Sequence, residues 1–289
     1  MEWERAKNII LVAFILLNLG LAGLLFMEHN RYTLTTDRIS TIHTVLSENN
    51  INLYTAPMRR FAPMRHLELS GFYYDIPALL EIFFYGAENV IQEETEERHY
   101  RFKTDYSLLE ISNGFIFFDN SLGLCESRNS FYEQISQADA VKISDEFIET
   151  HFPDFVREIV LDAYGGDGVQ VVYRQKYRGQ IILSNEIEFL ITAHGIQWVE
   201  LQFGRVIGHS AESRMIFAPD EILITFMQRM RHRAMENPIF ITGMDMVYLI
   251  EYASDHAGQV YPAVPFYRIF IMGDDSEFLI NAYTNAASF

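Results

Sequence analysis

The nine histidines are the first residues to examine for metal or acid–base chemistry, because imidazole serves both roles. They form no H-E-x-x-H pattern and no convincing pair of helical ligands. His194 precedes Gly195 at a predicted turn. His232 lies between Arg231 and Arg233, where a cation complements a helix C-terminus. The histidines therefore predict no metal ligand and no catalytic base.

Two loop segments contain residue types that bind phosphate or calcium elsewhere. Residues 165–168 read GGDG, but neither a Lys-Ser/Thr pair nor a helix follows, as a phosphate loop requires. Residues 274–277 read DDSE, but the remaining spaced oxygens of a twelve-residue calcium loop are missing. Both segments are typical of turns between strands, so the sequence predicts no cofactor and no metal.

Acidic residues and the single cysteine complete the search for catalytic groups. The 39 acidic residues offer many carboxylate pairs, which glycosidases use, but one sequence does not rank them. No G-x-S-x-G or S-x-x-K motif is present. Cys125 is the one cysteine, which we interpret as a core residue. These features favour a protein that binds or relays a signal over an enzyme.

Net charge and composition narrow the classes further. The formal net charge of −17 repels phosphate backbones, which argues against nucleic-acid binding. Apolar residues make up 49% of the chain, enough for a packed core, and this argues against wholesale disorder.

A long apolar run near the start of the chain sets the expected location. Residues 8–27 read NIILVAFILLNLGLAGLLFM and are interrupted at the centre by Asn18. The nineteen residues from Ile9 to Met27 span about 28 Å as a helix, close to the hydrocarbon thickness of a bilayer. The run exceeds a signal-peptide core and ends without an A-x-A site. It predicts a retained, single transmembrane helix.

Charges beside this run predict its orientation and the domain order. Arg5 and Lys7 precede the run, and the positive-inside rule then favours a cytoplasmic N-terminus over residues 1–7. Residues 28–130 and 131–289 follow as two predicted extracytoplasmic domains. The boundary between them rests on a new helix that begins near residue 136.

Helical periodicity and strand alternation predict an α+β fold for these domains. Helices are expected over 35–50, 136–152 and 218–233, with a short one that Asp75 caps and Pro77 opens. Runs of strand type with Gly-rich or Asn-Gly turns follow each helix, including Asn113-Gly114. The pattern indicates repeated units of a helix on an antiparallel sheet.

The predicted transmembrane helix has two faces suited to contact with other helices. At about 100° per residue, Asn18 and Ala22 share one face, and Gly20 lies nearly opposite, close to Ala13 and Gly23. Small residues allow close helix approach, and an amide in hydrocarbon seeks a hydrogen-bond partner. The predicted interface residues are Ala13, Phe14, Asn18, Gly20, Leu21, Ala22, Gly23 and Leu25. A passive anchor is the alternative, since Gly and Ala are common in such helices.

Several segments together resemble a known family. They are the opening M-E-W-x-R-x-K before the apolar run with L-N-L, the segment Leu46 to Ile51, the helix-then-strands unit from Ser136, and the C-terminal PAVPFYRI and LINA segments. This combination resembles the YycI (WalI) family of two-component system regulatory proteins.

The resemblance implies a single-pass membrane protein of Gram-positive bacteria with a PepSY-like ectodomain and no enzymatic activity. It also implies two partners: the sensor histidine kinase WalK (YycG), which controls cell-wall metabolism and is contacted largely through transmembrane helices, and the membrane-anchored protein YycH. Two alternatives remain open. A ligand-sensing PepSY-like module would have a pocket lined by aromatics such as Tyr173, Tyr177 and Trp198, and a membrane-tethered cell-wall hydrolase would have a concave site with a perturbed carboxylate pair.

Overall fold

The computed structural model describes residues 2–71, 75–87, 89–93, 99–112, 114–120, 134–163, 168–202, 204–251, 260–274 and 277–288. Its helices are α1 (Glu2–Arg31), α2 (Thr36–Glu48), α3 (Ile76–Phe83), α4 (Gln137–His151) and α5 (Pro219–Glu236). Its strands are β1 (Ile51–Leu53), β2 (Leu67–Ser70), β3 (Ile91–Glu93), β4 (His99–Lys103), β5 (Leu108–Ser112), β6 (Phe115–Asp119), β7 (Phe155–Asp162), β8 (Val169–Tyr177), β9 (Gln180–Thr192), β10 (Gly195–Gln202), β11 (Val206–His209), β12 (Ile239–Ile250), β13 (Val260–Ile271), β14 (Phe278–Asn281) and β15 (Ala287–Ser288).

The chain forms two compact units, each assembled from separate stretches of sequence. The first unit comprises Met1–Met64, Ser213–Asp245 and Tyr267–Phe289, and the second comprises Arg65–Glu212 and Met246–Phe266. Because β12 and β13 contribute residues to both, neither unit is contiguous in sequence. The predicted division into 28–130 and 131–289 has its boundary in 121–133, outside the described residues, and stays a prediction.

Helix α1 of the first unit runs past both ends of the predicted segment 8–27. Within it, Ala6–Leu25 has a mean hydropathy of 2.4, and no part of it is buried by the rest of the chain. Among the described residues it is the one helix long and apolar enough to cross a membrane. The prediction of a single apolar N-terminal helix is confirmed.

The rest of the first unit packs α2 against α5 beside short strands. Ile42 and Leu46 form the buried side of α2, as their helical spacing predicts. The chain then turns at Asn50 into β1, which pairs in parallel with the start of β12, with Ile51 opposite Ile239.

The second unit is built on an antiparallel sheet with the strand order β3-β4-β5-β6-β10-β9-β8-β7. Helix α3 precedes β3 to β6 in the chain, and α4 precedes β7 to β10. Pairing of β6 with β10 joins these two groups into one sheet. The α+β prediction is confirmed. That the two groups are structural repeats stays a prediction.

Helices α3 and α4 contribute to a single core on one face of this sheet. Leu79 of α3 and Ile148 of α4 are buried in the same cluster as Phe189 of β9 and Val199 of β10. Since side chains alternate along a strand, the neighbours Glu188 and Glu200 lie on the opposite face. The sheet therefore has an apolar face under the helices and a charged face away from them.

Both helices begin at capping residues that the sequence indicated. The Asp75 carboxylate accepts a hydrogen bond from the Ala78 amide at 3.4 Å, and the Ser136 hydroxyl accepts one from the Asp139 amide at 3.1 Å. Such caps satisfy amides that lack partners within the helix. The Asp139 side chain accepts a 2.6 Å bond from the Ser136 hydroxyl, which differs from the backbone contact of a full capping box.

The turns that connect the predicted strands are only partly described. Ser112 pairs with Phe115 across the predicted Asn113-Gly114 hairpin, although Asn113 itself lies outside the described residues. Strands β7 and β8 are antiparallel neighbours on either side of the GGDG segment, of which 165–167 also lie outside. For DDSE, residues 275 and 276 lie outside.

Candidate partner-binding helix and ligand cavity

All eight predicted interface residues lie on α1, and all eight are exposed. The Asn18 amide Nδ2 donates a 2.7 Å hydrogen bond to the backbone carbonyl of Phe14, one turn earlier in the same helix. One amide hydrogen is therefore satisfied within α1. The Oδ1 atom and the second amide hydrogen remain for a partner.

The opposite face of α1 is open at both of its glycines. A Cβ atom added at Gly20 or Gly23 meets no atom within 4 Å, so the chain itself does not require glycine there. Neither glycine has a positive φ. A second helix could approach the α1 backbone closely at these positions.

The C-terminal end of α1 is fastened to the folded part of the first unit. The Leu34 amide donates to the Arg59 carbonyl at 2.7 Å, and the Phe61 amide donates to the Tyr32 carbonyl at 3.0 Å. Leu34 and Phe61 are buried, and the Tyr32 ring meets that of Phe61 edge-on at 6.3 Å. Only a few residues separate the helix from this anchored segment, so movement of α1 would act directly on it.

The second unit contains a cavity of about 360 Å³ where its two groups of helix and strands meet. Its walls are mostly apolar, and its lining residues are Ile82, Phe83, Ser107, Phe118, Asn120, Ile143, Phe147, Ile196 and Val199. Phe83 stacks on Phe118 with ring centroids 4.8 Å apart. Both the volume and the lining are in the range of small-molecule sites.

Two polar residues lie together in the cavity wall. The Ser107 hydroxyl donates to Asn120 Oδ1 at 2.6 Å, and a turn with Thr104 holds the Ser107 backbone. Asn120 Nδ2 has no hydrogen-bond partner in the part of the chain that the structure describes. The cavity thus combines aromatic walls with an amide donor.

The three aromatics that the sequence suggested for a ligand pocket do not line this cavity. Tyr173 lies in the core, where its hydroxyl is 2.7 Å from Asp145 Oδ1, and burial raises the pKa of Tyr173 above its usual range. Tyr177 packs beside His209, and Trp198 beside Phe117. The burial of Tyr173 follows from strand alternation, which directs it toward α4.

A carboxylate pair occupies the charged face of the same sheet. Glu188 and Glu200 are directly opposite one another in the register of β9 and β10. Burial raises the pKa of Glu200, and the carboxylates of Glu188 and Glu186 raise it further. Burial also raises the pKa of Glu188, which accepts a hydrogen bond from Gln170. This pair does not line the cavity, because the two lie on opposite faces of the sheet.

Sequence reasoning missed the cavity and the carboxylate pair. Ser107 and Asn120 are thirteen residues apart, and neither belongs to a recognisable motif. The pairing of Glu188 with Glu200 depends on the register between β9 and β10, which includes an irregularity between Ile196 and Trp198. Alternating Glu and apolar residues in EIEFLI indicated a charged sheet face, but not which strand would lie opposite.

Comparison with known proteins finds similarity at the level of fold. No family model and no curated protein matches the chain. An uncharacterised protein from Eubacterium rectale ATCC 33656 aligns over 83% of this chain and 91% of its own length, with 11% identity and a TM-score of 0.54. The chain shares its fold with that protein. The Bacillus megaterium YpeB C-terminal domain aligns over 76% of this chain and 97% of its own length, with 10% identity; its TM-score of 0.44 supports no further conclusion.

Proposed function

We propose that the chain is a non-enzymatic, single-pass membrane protein that regulates a sensor histidine kinase through α1. In this proposal the kinase controls cell-wall metabolism, a YycH-like protein is the second partner, and the folded part is an extracytoplasmic, PepSY-like ectodomain. The observation that carries it is the uncovered apolar surface of Ala6–Leu25, none of which is buried by the chain's own residues. The sequence resemblance to the YycI family supplies the identity of the partners.

Two features of α1 support contact with more than one helix. The amide face around Asn18 and the small-residue face around Gly20 lie about 160° apart on the helix. Amide contacts between transmembrane helices contribute roughly 0.6–2 kcal/mol each, and glycines allow backbones to pack closely. A helix between a kinase helix and a co-regulator helix would use both faces.

Substitution of each face separately tests this proposal. We expect Asn18→Leu and Gly20→Leu each to reduce co-purification with the kinase or with the co-regulator by about threefold or more, since each removes one contact surface. Kinase output, measured by phosphorylation of its response regulator, should change in parallel.

Leu17→Phe is the matched control, because Leu17 is exposed and lies about 100° from Asn18, between the two faces. It enlarges a side chain in the membrane without altering either face. If all three variants behave as the wild type while loss of the folded part abolishes regulation, α1 is a passive anchor and the proposed contact is wrong.

The cavity of the second unit favours ligand sensing as a second candidate function. Its volume and aromatic walls fit a small molecule with an apolar body, and Asn120 Nδ2 would donate to an acceptor on that molecule. Isothermal titration of the full chain with phenyl-containing acids would test it. Binding should weaken in Phe83→Ala, and absence of binding by all such compounds would exclude the class.

The hydrolase alternative has less support from the arrangement of the second unit. The perturbed carboxylates Glu188 and Glu200 do not line the cavity, whereas acid–base chemistry at a sugar requires carboxyl groups beside the bound substrate. We therefore place regulation by contact first, ligand sensing second and hydrolysis last.

A further inference from the structure

Three exposed arginines lie together where α1 ends. Arg31 is the last residue of α1, and its guanidinium lies over the Tyr32 ring, 5.6 Å from the centroid. Arg60 forms an antiparallel bridge with Thr33, and the Arg59 carbonyl accepts from the Leu34 amide. Arg59 and Arg60 are therefore held about 5 Å from the chain that leaves the helix, the spacing of paired strands.

The depth of these arginines follows from the length of the helix. Arg31 lies six residues beyond Leu25, the end of the apolar span, or about 9 Å along the axis. The headgroup layer on each side of the hydrocarbon is about 5–8 Å thick. If α1 spans the membrane, the Arg31 side chain reaches this layer, and the bridge between Thr33 and Arg60 places the other two beside it.

The local charge differs in sign from that of the rest of the chain. Residues 28–65 contain five arginines against three acidic residues, a net charge of +2, whereas 66–289 contain 15 basic and 34 acidic residues, a net charge of −19. Of the five, Arg38 is already paired with Asp220 through two contacts of 2.7 Å. A strongly acidic protein is repelled by an anionic membrane surface, so positive charge at the membrane boundary has a clear partner there.

We propose that Arg31, Arg59 and Arg60 form a binding surface for the headgroups of anionic phospholipids. Guanidinium groups pair with phosphate through two parallel hydrogen bonds, and Tyr32 beside them is of the type that lies at membrane interfaces. The bound headgroups hold the first unit against the membrane and fix the position at which α1 leaves it. This inference rests on the membrane insertion of α1, but not on the kinase as partner.

Native mass spectrometry of the full chain in mixed micelles tests this surface. The micelles contain equal amounts of phosphatidylglycerol and phosphatidylcholine, and the measured quantity is the ratio of the two lipids bound to the protein. We expect phosphatidylglycerol to be enriched at least about threefold, since each basic residue near an anionic surface favours binding. The enrichment should fall to about one in the double variant Arg59→Gln/Arg60→Gln.

Lys142→Gln/Arg231→Gln is the matched control, because it removes two exposed positive charges from α4 and α5. It should retain the wild-type enrichment. Circular dichroism checks that both double variants fold, which the backbone contacts of Arg59 make possible after side-chain replacement. Equal loss in both variants, or no enrichment in the wild type, overturns the proposal.

Two further measurements separate the possible sources of failure. Soluble glycerol phosphate at the same concentration should leave the enrichment unchanged; if it displaces the lipid, the arginines bind free phosphate groups and the proposal is wrong. Alkaline carbonate extraction is performed first. Release of the chain from membranes would contradict insertion and the proposed function together, whereas a retained chain without lipid preference contradicts the lipid surface alone.

Discussion

Asn18 shows how one hydrogen bond changes the interpretation of a polar residue in a membrane helix. From the sequence, its amide requires a partner on another helix. In the structure, Nδ2 donates to the Phe14 carbonyl, so part of this demand is met inside α1. The contribution of Asn18 to helix association should therefore lie toward the lower end of the usual range, about 0.6 kcal/mol.

Glu200 provides a prediction at the residue scale that concerns pH. Its pKa is raised in the folded state, so the folded form binds the proton more tightly than the unfolded form. The stability associated with this group is complete at a pH below the unfolded pKa and is lost as the pH rises through the folded pKa. Glu200→Gln should therefore raise the thermal midpoint at pH 7, by the equivalent of up to about 1 kcal/mol, and have little effect near pH 4.

Thermal unfolding of the full chain in detergent at the two pH values measures this difference. Glu149→Gln on the exposed side of α4 is the control and should show no comparable pH-dependent gain. A stabilisation by Glu200→Gln that is equal at pH 4 and pH 7 would contradict repulsion by Glu188 and Glu186 as its cause.

At the scale of elements, the helix starts were the most predictable part of the fold. Asp75 with Pro77, and Ser136, mark the first turns of α3 and α4 in both sequence and structure. Capping depends on a side chain and on amides two or three residues away, so the sequence contains all the information required. Helix ends were less predictable: α5 continues to Glu236, past the basic residues expected to end it.

Ser136→Ala is the corresponding prediction for α4. Loss of the hydroxyl that accepts from the Asp139 amide should lower the free energy of unfolding by about 1 kcal/mol. Urea unfolding followed by circular dichroism measures it. Ser40→Ala, an exposed position inside α2, should be nearly neutral because alanine favours helix interiors. Equal losses in the two variants would show that the cap does not stabilise α4.

At the scale of the whole molecule, charge and membrane orientation are linked. Arg5 and Lys7 lie on one side of α1, and Arg31, Arg59 and Arg60 lie on the other. The positive-inside rule counts basic residues near the span, so the folded side offers a competing signal that the sequence order alone understated. The cytoplasmic N-terminus therefore stays a prediction.

Protease treatment of intact spheroplasts tests the orientation. With a cytoplasmic N-terminus, added protease should degrade the folded part and leave an N-terminal epitope tag protected until the cells are lysed. Membrane fractions should retain the tagged fragment. A protected folded part with a degraded tag would reverse the orientation and contradict the extracytoplasmic location.

Local interactions let the sequence alone predict the apolar span, the helix caps and the α+β class. Each depends on neighbours within about one helical turn or on strand alternation. The cavity, the pair of Glu188 with Glu200 and the arginines beside α1 required the tertiary structure. They bring together residues that are thirteen, twelve and about thirty positions apart, through strand register and one bridge at Thr33. A shift of one residue in register would move every side chain of a strand to the other face, which is why local patterns did not predict these sites.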